Sequence, residues 1–152
     1  MQRQSSPNNV KPVSRTLATF PSLIRQEGTK GCKSIASLDI LGITPGKTVA
    51  DIGAGSGWFT VRAAKRVRDT GTVYAVDINP EAIRYIESRI RKENLRNVKP
   101  ILGRPDNPLL PGTVDAVLLL KTYHEVAQPI TLLRNLRASL SPARTMALPG
   151  TS

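Results

Sequence analysis

Residues 49–60 constrain the fold of this 152-residue chain more than any other stretch. They read V-A-D-I-G-A-G-S-G-W-F-T: a short apolar run, an acid, three alternating glycines and the start of a helical pattern. Glycine is favoured where the backbone turns sharply or approaches a ligand closely. A helix after such a turn directs unpaired N–H groups and its positive dipole end toward that turn. The stretch therefore predicts a buried strand, a ligand-binding turn and a helix over residues 58–68.

Two other nucleotide-binding loops fit this spacing less well. The dinucleotide fingerprint G-x-G-x-x-G needs glycine or alanine where the chain has Trp58. The phosphate-binding loop G-x-x-x-x-G-K-[ST] is matched at its end by residues 46–48, but Leu41 occupies the place of its first glycine. The remaining alternatives are a different cofactor loop or a glycine-rich turn that binds nothing.

The pattern acid-x-Gly-x-Gly-x-Gly resembles the glycine-rich loop of the class I S-adenosylmethionine-dependent methyltransferases. The resemblance implies an α/β fold, a three-layer Rossmann-like open parallel sheet that is incomplete at its C-terminal edge. It also implies that the loop wraps the methionine and ribose end of S-adenosylmethionine, while the acid helps to hold the ammonium group. The cofactor-binding residues that it assigns to the loop are Asp51, Gly53, Ala54, Gly55, Ser56 and Gly57.

Asp77 lies twenty residues after Gly57, at the end of a second apolar run. The carboxyl ends of parallel strands meet at one edge of an α/β sheet. This carboxylate is therefore expected beside the glycine loop, where it can accept both hydroxyls of a ribose, and the resemblance assigns it the same role. Ile78 belongs to the same predicted cofactor site. The alternative role for Asp77 is a helix cap, but the sequence Asn-Pro-Glu at 79–81 suits a cap better.

A third strand is predicted over residues 98–102, and a proline-rich loop follows it. In the family that the chain resembles, the loop at this place covers the adenine, often with an acid that bonds its exocyclic amine. Asp106 is the candidate for that role. The alternative is that residues 105–111 form only a rigid connector.

Residues 114–120 form a near-continuous apolar run, typical of a central parallel strand covered on both faces. The polar residues after it are expected to face the transferable methyl group, because α/β sheets bind ligands outside the carboxyl ends of their strands. We predict Lys121 as a cofactor contact and Tyr123 and His124 as catalytic groups on the acceptor side. Methyl transfer by proximity alone, with a structural His124, is the alternative.

After a helix predicted over residues 129–140, the chain departs from the family pattern. Pro149 and Gly150 are expected to cut a fifth strand short. This predicts four parallel strands, an exposed edge on the strand of residues 114–120 and an irregular tail at 145–152. It also predicts a C-terminally truncated methyltransferase domain over residues 33–144, which binds its cofactor but turns over slowly.

Residues 1–32 are predicted to be a disordered basic leader, because they combine prolines and basic residues with little apolar periodicity. Residues 1–34 carry six of the chain's 22 basic residues and one of its 11 acidic residues, which contributes five of the net charge of +11. Such charge also permits a nucleic-acid partner, although no clustered aromatic and basic motif accompanies it. The oligomeric state does not follow from the sequence.

A single cysteine excludes an intramolecular disulfide, and no cysteine and histidine spacing suggests a metal site. The longest apolar run has the length of a strand, not of a membrane span. We therefore expect a cytoplasmic protein. The predicted function is methyl transfer from S-adenosylmethionine to a small-molecule acceptor. The alternatives are a cofactor-binding module without turnover and a methyltransferase of nucleic acid or protein.

Overall fold

The computed structural model describes residues 38–119 and 126–147. The elements of these residues are β1 (Thr48–Ile52), α1 (Trp58–Val67), β2 (Thr72–Asp77), α2 (Pro80–Glu93), β3 (Val98–Leu102), β4 (Val114–Leu118), α3 (Pro129–Ser139) and β5 (Leu140–Ala147). The five strands are parallel and lie in the order β3-β2-β1-β4-β5, with β1 in the centre. Helices connect β1 to β2, β2 to β3 and β4 to β5, while a loop connects β3 to β4.

The sheet is covered on both faces, as the nearly continuous burial along β1 and β4 indicates. One apolar cluster joins Val49 and Val73 of the sheet to α1 and α2, and the second joins Ala50 and Val117 to Leu136 of α3. Neighbouring residues such as Val49 and Ala50 belong to different clusters because successive strand side chains point to opposite faces. The prediction of a three-layer α/β fold is therefore confirmed.

The helix boundaries follow the capping signals of the sequence. Residues 38–40 are helical, and Gly42 caps the end of this helix. Gly42 N–H donates to Asp39 O, and Ile43 N–H donates to Leu38 O. These are the two hydrogen bonds of a Schellman cap. The side chain of Asn79 accepts a 2.9 Å hydrogen bond from Glu81 N–H at the start of α2. These ends lie where the sequence predicts them.

The fifth strand corrects three predictions. Residues 140–147 pair in parallel with β4, so the sheet has five strands, β4 is not an exposed edge, and residues 145–147 are not an irregular tail. The register passes from Val114 opposite Leu140 to Ala116 opposite Thr145, which leaves an irregularity around residues 141–144. Pro142 lies in that irregularity, where a missing N–H does not interrupt the ladder.

The basic residues of α1 make specific contacts with neighbouring side chains and with the main chain. The guanidinium of Arg62 lies 3.4 Å from the centre of the Trp58 ring, and Lys65 Nζ lies 2.9 Å from a carboxylate oxygen of Glu93. Arg66 pairs with Asp39 and also donates to the main-chain oxygen of Ile43. These contacts tie α1 to its neighbours in the same layer.

No helix within residues 38–119 and 126–147 is long and apolar enough to cross a membrane. In the same ranges, no group of three or more histidine, cysteine, aspartate or glutamate side chains is arranged to hold a metal ion.

Candidate functional site

A cavity of about 600 Å³ opens at the carboxyl ends of the strands. The loop between β1 and α1 forms its floor, and the loops after β2 and β3 and the start of α3 form its walls. β1 pairs with β2 on one side and with β4 on the other. The order in which successive strands are added to the sheet therefore reverses at β1, beside the cavity. Open α/β sheets bind ligands at this kind of switch point.

The glycine loop turns sharply away from the end of β1. Gly53, Gly55 and Gly57 have φ angles of 71°, 51° and 70°, in the left-handed region that side chains disfavour. The N–H groups of Gly53 and Ala54 both donate to Val76 O, at 2.8 and 3.0 Å, which fixes the loop to the end of β2. A Cβ on Gly55 would find only Gly53 O within 4 Å, at 3.9 Å. The loop therefore presents open backbone to the cavity.

Asp77 joins the glycine loop to the loop that follows β2. One carboxylate oxygen accepts from Gly55 N–H at 2.9 Å, and the other accepts from Asn79 N–H at 2.9 Å. Each oxygen can accept further hydrogen bonds, and the half-buried side chain lines the cavity. The carboxylate is thus held in position with acceptor capacity to spare.

Asp51 is a nearly buried acid, with 4 % of its surface exposed, and it also lines the cavity. Burial raises the pKa of its carboxyl from 3.8 to about 6, against the opposing effect of hydrogen bonds from the side chain and backbone of Thr60. The Thr60 hydroxyl donates at 2.7 Å, and the charge of Asp77 raises the pKa further. A cation in the cavity would favour the ionised form of Asp51.

Aromatic side chains form part of the cavity wall. Trp58 and Phe59 both line it and pack edge to face, with ring centres 4.7 Å apart. The Arg62 guanidinium covers a face of the Trp58 ring, and it donates to Trp58 O at 3.1 Å. This stacking holds an apolar wall beside the two acids.

Arg89 of α2 supports the glycine loop from outside the cavity. Its Nη1 donates to Ser56 O at 2.8 Å, and its Nε donates to Glu93 at 3.0 Å. Glu93 also accepts a hydrogen bond from Lys65 of α1. The bond from Lys65 has the larger effect, and together with the bond from Arg89 it holds the pKa of the Glu93 carboxyl below its usual value. The chain of charged contacts fixes the carbonyl of Ser56 between two helices.

We expect Arg89→Met to weaken binding of a ligand held by the glycine loop by about 1 kcal/mol, roughly fivefold, because Ser56 O loses its donor. Isothermal titration calorimetry measures the affinity. Arg84→Met is the matched control, since Arg84 lies on the same helix in an exposed pair with Glu81. Equal affinities for the two variants would contradict a supporting role for Arg89.

The structure brings most of the predicted cofactor residues together. The residues that line the cavity are Asp51, Gly53, Ala54, Gly55, Ser56, Asp77 and Ile78. Gly57 instead packs against α2, where a Cβ would lie 3.4 Å from Ile86 Cγ1. After β3, the lining residues are Arg104, Pro105 and Pro108. Asp106 is not among them, and its main-chain oxygen accepts from Asn135 at 2.7 Å. Its adenine contact stays a prediction, while Lys121, Tyr123 and His124 lie outside the described residues.

Three residues of the site were not found from the sequence. Trp58 was considered only as a departure from the dinucleotide fingerprint, and Thr60 only as the end of the motif. Arg89 contacts Ser56 across 33 residues. Its spacing of three residues from the buried Ile86 places it on the flank of the inner face of α2, but a flank position does not identify the partner.

Residues 49–143 match the family model described as a methyltransferase domain. This match covers more than half of the chain, and the chain therefore belongs to the methyltransferase-domain family. The prediction of a class I methyltransferase family is confirmed, and with it the prediction that S-adenosylmethionine is the cofactor of this class of domain.

Individual relatives share this domain. Over 94 residues the chain is 29% identical to the protein-L-isoaspartate O-methyltransferase of Pyrococcus horikoshii, which covers 61% of this chain and 42% of that protein. A solved S-adenosylmethionine-dependent methyltransferase from Aquifex aeolicus is 31% identical, with a TM-score of 0.69, over 72% of this chain and 58% of the other. The chain thus spans about half the length of these relatives.

A coclaurine N-methyltransferase solved with N-methylheliamine and S-adenosylhomocysteine is also similar. It is 26% identical, with a TM-score of 0.66, over 80% of this chain and 37% of the other. The named acceptors of the relatives differ, since one is a protein isoaspartate and another is a small amine. Family membership therefore leaves the acceptor of this chain open.

Proposed function

We propose that the cavity binds S-adenosylmethionine and that the domain transfers its methyl group to a small-molecule acceptor. The observation that carries the proposal is the pair of carboxylates, Asp51 and Asp77, which line one cavity together with the open backbone of the glycine loop. Asp51 suits an ammonium group, and Asp77 suits the hydroxyls of a ribose. The donor set therefore fits the methionine and ribose portions of this cofactor.

The charge of S-adenosylmethionine distinguishes it from nucleotides that contain phosphate. S-adenosylmethionine carries a sulfonium and an ammonium, whereas NADH and ATP carry phosphates that two nearby carboxylates would repel. Arg104 is the only basic side chain among the described residues of the cavity lining. It lies after β3, at the far side from the glycine loop. The loop therefore meets a ligand with acids and backbone rather than with a phosphate-binding lysine.

The residues of the chain contribute mainly by positioning. Asp77 fixes the ribose, the glycine loop follows the ligand closely, and the wall of Trp58 and Phe59 excludes water from one side of the cavity. When bound, the cofactor supplies an activated methyl group on its sulfonium. Holding an acceptor in line with that group accounts for up to roughly 7–11 kcal/mol of the barrier in well-oriented reactions.

A small acceptor is favoured because the aromatic and proline side chains form an apolar wall inside a concave cavity. Tyr123 and His124 follow β4 in the sequence and are proposed to bind the acceptor or to accept its proton. His124→Ala and Tyr123→Phe test these roles once an acceptor is identified. Each should lower kcat with little change in cofactor affinity, and an unchanged kcat would remove the residue from the proposal.

Calorimetric titration with S-adenosylhomocysteine tests cofactor binding directly, with NADH and ATP as controls. The proposal predicts saturable one-to-one binding of S-adenosylhomocysteine and no measurable binding of either phosphate-containing ligand. Tighter binding of NADH or ATP than of S-adenosylhomocysteine would refute the cofactor assignment.

Asp77→Ala should weaken binding of S-adenosylhomocysteine by about 1–3 kcal/mol, because the ribose hydroxyls lose charge-assisted acceptors. Asn79→Ala is the control for a capping role. It removes the side-chain acceptor at the start of α2 and should lower stability by about 1 kcal/mol while leaving the Asp77 carboxylate in place. If Asp77→Ala reduced only stability, as Asn79→Ala does, Asp77 would be a structural residue.

A further inference from the structure

A second feature lies at the opposite edge of the sheet, where the strands begin. Six basic residues, which we call the basic edge, surround the ends of α1 and α2 and the starts of β1 and β3. Five are exposed, and Lys47 is half-buried. The basic edge consists of Lys47, Arg68, Arg91, Lys92, Arg96 and Lys99.

Hydrogen bonds make the basic edge one continuous surface. Thr72 N–H donates to Lys47 O at 3.1 Å, and the Asn97 side chain donates to Arg68 O at 2.8 Å. Asn97 O in turn accepts from Val73 N–H at 2.8 Å. The loops at residues 44–47, 68–71 and 94–97 are therefore bound side by side.

The charges of the basic edge are not neutralised within the described part of the chain. Lys65, Arg66 and Arg89 have carboxylate partners, but none of the six does among residues 38–119 and 126–147. Asp69 is the single acid in the three loops. Asp115, at the start of β4, also lies at this edge, where its carboxylate accepts a hydrogen bond from Thr48 N–H at 2.8 Å. Glu93, at the end of α2, is paired with Lys65 and Arg89. Six cations against Asp69 and Asp115 leave this edge with a net positive charge.

Ordinary structural roles explain four of these six cations. Arg68 is the C-cap residue of α1, and Arg91 and Lys92 lie in the last turn of α2, where positive charge complements the helix dipole. Lys99 lies on the edge strand β3, where lysine discourages pairing with other chains. Lys47 and Arg96 lie outside the helices and strands, and neither explanation applies to them.

We propose that the basic edge docks the phosphate backbone of double-stranded RNA. Repeated phosphates are the partner that a row of unpaired cations fits. The three loops contain no aromatic residue on which an unpaired base could stack, which disfavours single strands. Among the described residues the edge ends in loops, and no helix projects from it to enter the major groove of DNA. RNA duplexes are recognised through backbone and shape across a shallow minor groove.

Docking at this edge leaves the cavity accessible. Strands of five and six residues separate the two edges, which places them about 15–20 Å apart. The basic edge would therefore hold the protein on RNA while the cofactor site faces away from the contacted backbone. The proposal goes beyond the proposed function and does not depend on the identity of the cofactor.

Fluorescence anisotropy with a labelled RNA duplex of about 16–20 base pairs tests the proposal on the full chain over about 50–200 mM salt. The edge variant carries Arg68→Gln and Arg96→Gln. The control variant carries Arg84→Gln near the start of α2 and Arg134→Gln in the middle of α3, and both of these residues are exposed. Both variants lose two charges and keep residues 1–37 unchanged, so a difference between them reports position and not net charge.

The wild-type protein and the control variant should bind the duplex with the same salt dependence. The edge variant should lower the slope of log K against log salt by about 2, close to 0.9 for each lost phosphate contact. Equal losses in both variants would overturn the proposal, as would absent binding by the wild type. Tighter binding to a DNA duplex, or to phosphatidylserine vesicles, would also overturn it. Unchanged binding of S-adenosylhomocysteine by the edge variant verifies its fold and keeps this test separate from that of the cavity.

Discussion

Asp51→Asn is expected to stabilise the folded protein at pH 7 while it abolishes detectable binding of S-adenosylhomocysteine. Burial raises the pKa of this carboxyl to about 6, so holding it ionised at pH 7 lowers the free energy of unfolding. Asparagine removes this penalty, on the order of 3 kcal/mol, and can still accept the hydrogen bond from Thr60. The variant loses the negative charge opposite the ammonium group of the ligand.

The stabilisation should depend on pH in a defined direction. Between about pH 4 and 6 the folded state retains the proton of Asp51 while the unfolded state releases it. The contribution of this group to the free energy of unfolding therefore falls as the pH rises through this range, and it is constant above about pH 6. Urea unfolding should therefore show a variant-minus-wild-type difference that is below about 1 kcal/mol at pH 4 and about 3 kcal/mol at pH 7. A difference that does not change with pH would contradict a buried, ionisable Asp51.

The ionisation of Asp51, which lowers the stability of the wild-type protein, should raise its affinity for S-adenosylhomocysteine. If the ammonium requires ionised Asp51, the dissociation constant of S-adenosylhomocysteine rises toward tenfold per pH unit below about pH 6. Calorimetry from pH 5 to 8 measures this profile. A flat profile would remove Asp51 from contact with the ammonium group.

Gly55→Val should weaken binding of S-adenosylhomocysteine by more than about 100-fold, which corresponds to roughly 3 kcal/mol. Gly55 faces open space in the cavity, and a valine there would occupy volume that the ligand needs. The variant should also lose about 1–2 kcal/mol of stability, because a branched residue at a φ of 51° is strained. Calorimetry and thermal unfolding measure the two effects separately.

Gly42→Val is the matched control for backbone strain. Gly42 has a φ of 63°, a Cβ there would meet nothing within 4 Å, and the residue caps a helix away from the cavity. The control should lose similar stability and keep wild-type affinity. Comparable losses of affinity in both variants would attribute the effect of Gly55→Val to unfolding and not to a blocked site.

The sequence predicted the part of the fold that local patterns determine. The strand at residues 98–102 lies at its predicted bounds, and β1 and β2 lie where the sequence has its first two apolar runs. In each case an apolar run stands between turn-forming residues. The position of Asp77 beside Gly55 also follows from sequence, because parallel strands bring their carboxyl ends to one edge.

Features that depend on distant contacts were missed. Leu140–Ala147 contains Pro142 and polar residues, and only pairing with β4 makes it a strand. The bond from Arg89 to Ser56 joins residues 33 positions apart. The raised pKa of Asp51 arises from packing around the end of β1, which no local pattern reveals. The roles of Asp106, Lys121, Tyr123 and His124 remain predictions.

A crystal structure of the protein with S-adenosylhomocysteine tests the central claim most directly. The account predicts the ligand in the cavity over residues 53–57, with both ribose hydroxyls hydrogen-bonded to the carboxylate of Asp77 and the ammonium group beside Asp51. A ligand bound elsewhere, or one whose ribose lies away from Asp77, would contradict the account.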